Sequence, residues 1–71
     1  RPDYPEALNV LGNIREYQGD LAGAADLYRS ALALMPESPV LHRSLADVLD
    51  KLGRIGEAAE HRREAARLSG D

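Results

Sequence analysis

The chain has 71 residues, no cysteine, and 12 acidic against 9 basic side chains, for a net charge of −3. That size allows one small domain whose core is barely large enough to fold alone. It excludes disulfides and cysteine-based metal sites, and the interspersed charges leave no basic stripe of the kind a nucleic-acid interface needs. Asp3-Tyr4-Pro5-Glu6 predicts a helix start: Asp3 accepts from a free backbone N–H, Glu6 reaches back, and Pro5 suits the first turn. Ala7, Leu8, Leu11 and Ile14 follow at helical spacing, and Gly19 ends the segment because glycine adopts the left-handed cap conformation.

Asp20 is the expected cap of a second helix, with an apolar face of Leu21, Ala24, Ala25, Tyr28, Ala31, Leu32 and Leu34 and a stop at Pro36. Ser38-Pro39 opens a third helix, an N-cap followed by proline at the first helical position. Its apolar residues are Val40, Leu41, Leu45, Val48, Leu49 and Leu52, and Gly53 ends it. A fourth helix is expected from about Ile55 to Leu68, with Ala58, Ala59, Ala65 and Ala66 facing inward and Gly70 after it. No stretch alternates with the period of a strand, so the fold class is all-α.

The two halves repeat each other. At an offset of 34 residues Pro5 meets Pro39, Leu11 meets Leu45, Gly19 meets Gly53 and Ala24 meets Ala58. In the same register Ala25 meets Ala59, Arg29 meets Arg63, Ala31 meets Ala65, and Leu34 meets Leu68. Composition alone gives roughly two identities over such a window, so the matches mark an internal repeat.

A helix–turn–helix repeat of this period resembles the tetratricopeptide repeat (TPR). The first copy carries that pattern as Leu11-Gly12, Gly19, Ala24, Tyr28, Ala31 and Pro36, with Leu8 at the frequent tryptophan place and Arg15 departing from tyrosine. The second carries Leu45-Ala46, Gly53, Ala58 and Ala65, and departs at Arg62 and Gly70. The resemblance implies a right-handed α-solenoid of two hairpins, four antiparallel helices in all, with one repeat over about residues 5–38 and the next over about 39–71. Small residues answer a packing need: Gly12 and Ala24 are expected where the two helices of a hairpin approach, Ala31 where the next hairpin sits, and Leu11 and Tyr28 fill the flanks.

The resemblance also implies a protein–protein interaction module that binds a peptide or partner protein on the concave face of its first helices. The groove positions are then Glu6, Asn9, Asn13, Glu16 and Tyr17 in the first copy, and Val40, Arg43, Asp47, Asp50 and Lys51 in the second. Each set falls on one helix face. The amides of Asn9 and Asn13 both donate and accept, and Tyr17 offers flat apolar area with a polar tip. The bland reading of the same stripe is a solvated face, with Arg43–Asp47 and Asp47–Lys51 as ordinary surface pairs. A TPR subclass grips a C-terminal carboxylate, but here Asn9 stands where its lysine would be and Ser44 where a second asparagine would be, so that mode is not expected. The groove's charges lean slightly acidic and favour a basic or neutral partner.

No constellation suggests an enzyme. Ser38 reads as a cap, His42 and Ser44 point apart, and Gly19-Asp20 and Gly53-Arg54 are helix punctuation. His61 reads as a solvated surface histidine. No cofactor, metal, nucleic acid or membrane span is expected, since the apolar runs fall far short of ~20 residues. With no initiator Met or signal peptide, the chain reads as a piece of a longer protein, cytoplasmic by default, with an Ala-, Arg- and Leu-rich composition that hints at a GC-rich bacterial genome. Two repeats fall below the three or so needed for independent stability. Self-association of the isolated chain, as a homodimer or higher homo-oligomer, is therefore expected. The alternatives are a structural or oligomerisation segment of a longer array, or a regulatory appendage of an enzyme.

Overall fold

Proline, aspartate, serine and glycine set the helix boundaries. A computed structural model describes residues 4–70, so the cap expected from Asp3 lies outside the described residues. Within them the chain forms α1 (Pro5–Tyr17), α2 (Leu21–Leu34), α3 (Pro39–Lys51) and α4 (Ile55–Ser69). Asp20 Oδ1 accepts from the Gly23 N–H at 2.9 Å, and Ser38 Oγ from the Leu41 N–H at 3.3 Å. Replacing Asp20 with alanine removes the first of these caps. Thermal or urea unfolding should register a loss of about 1 kcal/mol.

The two hairpin turns are copies of each other. Gly19 and Gly53 have φ of +85° and +83°, a region that penalises any side chain. Each turn closes with the same bonds: Asp20 N–H to the Arg15 carbonyl at 2.9 Å, and Arg54 N–H to the Leu49 carbonyl at 2.8 Å. The α2–α3 connection is different, because Pro36 cannot continue a helix and Pro39 restarts one.

Packing runs in chain order: α1 on α2, α2 on α3, α3 on α4. The body is flat, 30 × 27 × 15 Å. Its core joins Leu8, Ala24, Tyr28, Ala31, Leu45, Ala46, Val48, Leu49 and Ala58 with their neighbours. The expected small residues are indeed at the crossings: Ala24, Ala31, Ala46 and Ala58 are wholly buried. Gly12, however, opposes the Tyr28 ring, since a Cβ built on Gly12 would lie 2.5 Å from Tyr28 Cε1.

Several expected core residues are instead exposed. Leu11 and Ile14 are 42% and 47% accessible, whereas their counterparts Leu45 and Val48 are 1% and 0%. The difference has one cause: α2 lies against α3, and among the described residues no helix lies on the matching side of α1. Leu34, Val40 and Leu52 are also exposed. Leu34 sits in the last turn of α2, Val40 borders a cleft described below, and Leu52 falls just past the end of α3. Ala59 and Ala66 are half-buried, because among the described residues no further helix lies against the outer side of α4.

Candidate partner-binding groove

The first helices of the two hairpins, α1 and α3, share one side of the molecule. A salt bridge ties their last turns, Lys51 Nζ to Glu16 Oε2 at 2.6 Å. Near their first turns a cleft of about 180 Å³ is walled by Pro5, Glu6 and Asn9 from α1, Val40 and Leu41 from α3, and Met35 and Ser38 from the connection. The cleft is smaller than the ~300–1,000 Å³ typical of small-molecule sites, and its walls are mostly apolar side chains.

The expected groove residues divide into three neighbourhoods. Glu6, Asn9 and Val40 border the cleft between the helix starts. Asn13, Glu16, Tyr17 and Lys51 border a second depression at the helix ends, where Tyr17 is 94% exposed. Arg43 and Asp47 border a third, beside Arg62 and Ala66 of α4. Asp50 borders none of these and is engaged by Arg62.

Much of the polar stripe is bonded across helices. Tyr28, buried in α2, shares its single hydroxyl hydrogen between Asn13 Oδ1 at 2.6 Å and Glu16 Oε1 at 3.0 Å. At the same places in the second hairpin, Arg62 donates to Asp47 Oδ1 at 2.9 Å and to Asp50 Oδ2 at 2.5 Å. The two ties are the same device with different chemistry: phenol to amide and carboxylate, guanidinium to two carboxylates. Burial, reinforced by Glu16, raises the Tyr28 phenol well above its ordinary value, so it stays a donor. The hydrogen bond and charge of Glu16 raise the Lys51 ammonium as well. Asp47 and Lys51 thus pair with other helices, and Arg43 donates to Ser69 Oγ at 2.9 Å. With Arg62 facing Asp47 and Asp50, the acidic lean of the groove is nearly cancelled.

Asn9 differs from the rest. Its Oδ1 is buried and has no hydrogen-bond partner among the described residues. Leaving such an acceptor unpaired costs about 1–3 kcal/mol.

Sequence reasoning missed four contributors. Met35, Leu41 and Ser38 wall the cleft because the α2–α3 connection returns beside the start of α1. The tie made by Arg62 was legible in the 34-residue register, which sets Arg62 on Tyr28, Asp47 on Asn13 and Asp50 on Glu16. His61 is half-buried and its Nδ1 lies 2.9 Å from His42 Nδ1, so it is no solvated surface residue. Among the described residues, no group of three or more His, Cys, Asp or Glu is placed to hold a metal ion, and no helix is long and apolar enough to cross a membrane.

Comparison with known proteins agrees with this architecture. A family model described as tetratricopeptide repeat matches residues 16–67. A TPR repeat-containing thioredoxin, TTL4 of Arabidopsis thaliana, is 36% identical over 62 residues, which is 87% of this chain. The chain spans 9% of the length of that relative.

Proposed function

The chain belongs to the tetratricopeptide repeat family, and on that premise we propose that it is a non-catalytic interaction module holding an extended peptide or a partner helix against α1 and α3. The observation that carries this reading is the cleft between the helix starts. Pro5, Val40, Leu41 and Met35 line it with apolar side chains and Asn9 lines it with an amide, so an apolar side chain and a backbone amide of a peptide both find matching chemistry there. Exposed Tyr17 extends the surface toward the helix ends. The near-neutral charge favours an apolar or mildly basic segment. The two repeats, about 5–38 and about 39–71, act as one unit in this reading.

The test is capture by the full parent protein, followed by peptide mapping of what is caught. Asn9→Ala with Tyr17→Ala should lower the affinity for the mapped peptide by tenfold or more, at about 1.4 kcal/mol per decade, with the melting temperature not lowered, since the unpaired acceptor is removed. Unchanged affinity removes the groove from the account.

The exposed apolar residues of α1 support a second reading, self-association or stacking within a longer array. Val10, Leu11 and Ile14 together leave a stripe open whose counterpart on α3 is covered by α2. Sedimentation of the isolated chain should give a mass above the monomer that Ile14→Lys reduces to the monomer with helix content retained. A folded monomer before any substitution contradicts that reading.

A further inference from the structure

The second hairpin contains a polar pair that the first lacks. In the 34-residue register His42 occupies the place of Leu8, and His61 that of Leu27. The two leucines belong to or pack against the apolar core. His42 Nε2 lies 2.9 Å from the carbonyl oxygen of Pro36 in the α2–α3 connection. A carbonyl only accepts, so His42 carries its hydrogen on Nε2, and in the neutral ring Nδ1 is bare. That bare nitrogen is 2.9 Å from His61 Nδ1, which therefore donates. The second nitrogen of His61, Nε2, is left facing Glu57 Oε2 at 4.0 Å. One directional chain thus runs from α4 through α3 to the connection between the repeats.

Counting protons gives the consequence. One extra proton fits at His61 Nε2, toward Glu57, and leaves the chain intact. The next must go to His42 Nδ1, where two N–H groups then point at each other across 2.9 Å. Two positive rings would also stand with centroids 5.2 Å apart. We propose that the His42–His61 pair is a proton-sensitive latch, which ties α4 to α3 while one of its facing nitrogens is bare and releases α4 when both are protonated, with His42 Nε2 still donating to the Pro36 carbonyl.

The charged surroundings fit this role. Glu57 and Glu60 of α4 act on His61, Arg29 of α2 opposes them, and Glu64 of α4 feels His42. Glu57 is already committed to Arg29 at 2.8 Å, so it only partly compensates a proton on His61. Burial and the adjacent His42 ring depress His61 below its ordinary value of 6.5. The folded chain then takes up the proton less readily than the unfolded chain. The stability contributed is complete above pH 6.5 and is lost as pH falls toward the depressed folded value. Hydrogen bonds from Arg29 and Arg67 hold Glu57 and Glu64 below the ordinary carboxylate value of 4.5, so both stay charged across that window.

The experiment is thermal unfolding of the full chain from about pH 7.5 to about pH 5. The melting temperature should fall by roughly 4–8 °C, and His42→Leu with His61→Leu, which copies the first hairpin, should abolish the fall. A flat profile in the unaltered chain, or an equal slope in the double variant, overturns the proposal. If the double variant does not fold, nitrogen NMR of the two imidazoles in the unaltered chain decides. The latch requires hydrogen on His42 Nε2 and His61 Nδ1 at high pH and two coupled titration steps. Independent titration of both rings as free histidines overturns it.

Discussion

Gly12→Leu is expected to cost the chain a large part of its stability. A Cβ at this position already comes within 2.5 Å of a ring carbon of Tyr28, before the rest of a leucine is added. Two effects compete. Removing a helical glycine gains up to about 1 kcal/mol in propensity. Overpacking a buried crossing costs ~1–3 kcal/mol, occasionally more. Steric cost should win, because the obstacle is an aromatic ring that is wholly buried and tethered at its hydroxyl. A chain of this size has a total stability of only ~4–10 kcal/mol, so urea midpoints should drop sharply. Equal midpoints for Gly12→Leu and the unaltered chain would mean that the helices do not cross here. The matching position in the second hairpin already carries a methyl group, at Ala46, where Arg62 replaces the ring. A flexible arginine stem demands less room than a phenol.

The reciprocal change, Tyr28→Ala, should be at least as damaging. It empties the largest fully buried side chain of the core and should cost ~3–5 kcal/mol, as for other aromatic truncations. Tyr28→Phe keeps the ring and removes only the hydroxyl bonds to Asn13 and Glu16, at about 1 kcal/mol. The pair of sites gives a sharper check. Leucine at position 12 fills space that alanine at position 28 vacates, so the double variant should be less destabilised than the sum of the singles. Strict additivity would remove the contact from the explanation. The raised phenol also fixes a sign: its unfolded counterpart ionises first, near the ordinary 10.0, so stability should decline above that pH and Tyr28→Phe should remove the decline.

The helices and the repeat were readable from local signals, because capping residues, proline and glycine act within a few positions. Asp20, Ser38, Gly19 and Gly53 do in the structure what their types dictate. The exposure of Leu11 and Ile14 was not readable, since helical spacing identifies an apolar face but not whether a neighbour covers it. The groove residues were placed by family resemblance, and the structure adds what spacing along one helix cannot give: bonds between helices. Asn13, Glu16, Asp47 and Asp50 look alike as surface polar residues, yet each accepts from the second helix of its own hairpin. The histidine pair was hidden for a similar reason. His42 and His61 lie 19 positions apart, and the repeat register marks their places as those of leucines without saying that the two rings touch.

We propose that partners engage the side formed by α1 and α3. The most direct test is site-specific photocrosslinking in the parent protein, with a photoreactive side chain introduced in turn at Tyr17 on that side and at Arg63, an exposed residue of α4. Crosslinks to a discrete partner are expected from position 17 and none from position 63. Crosslinks from position 63 with none from position 17 would contradict it.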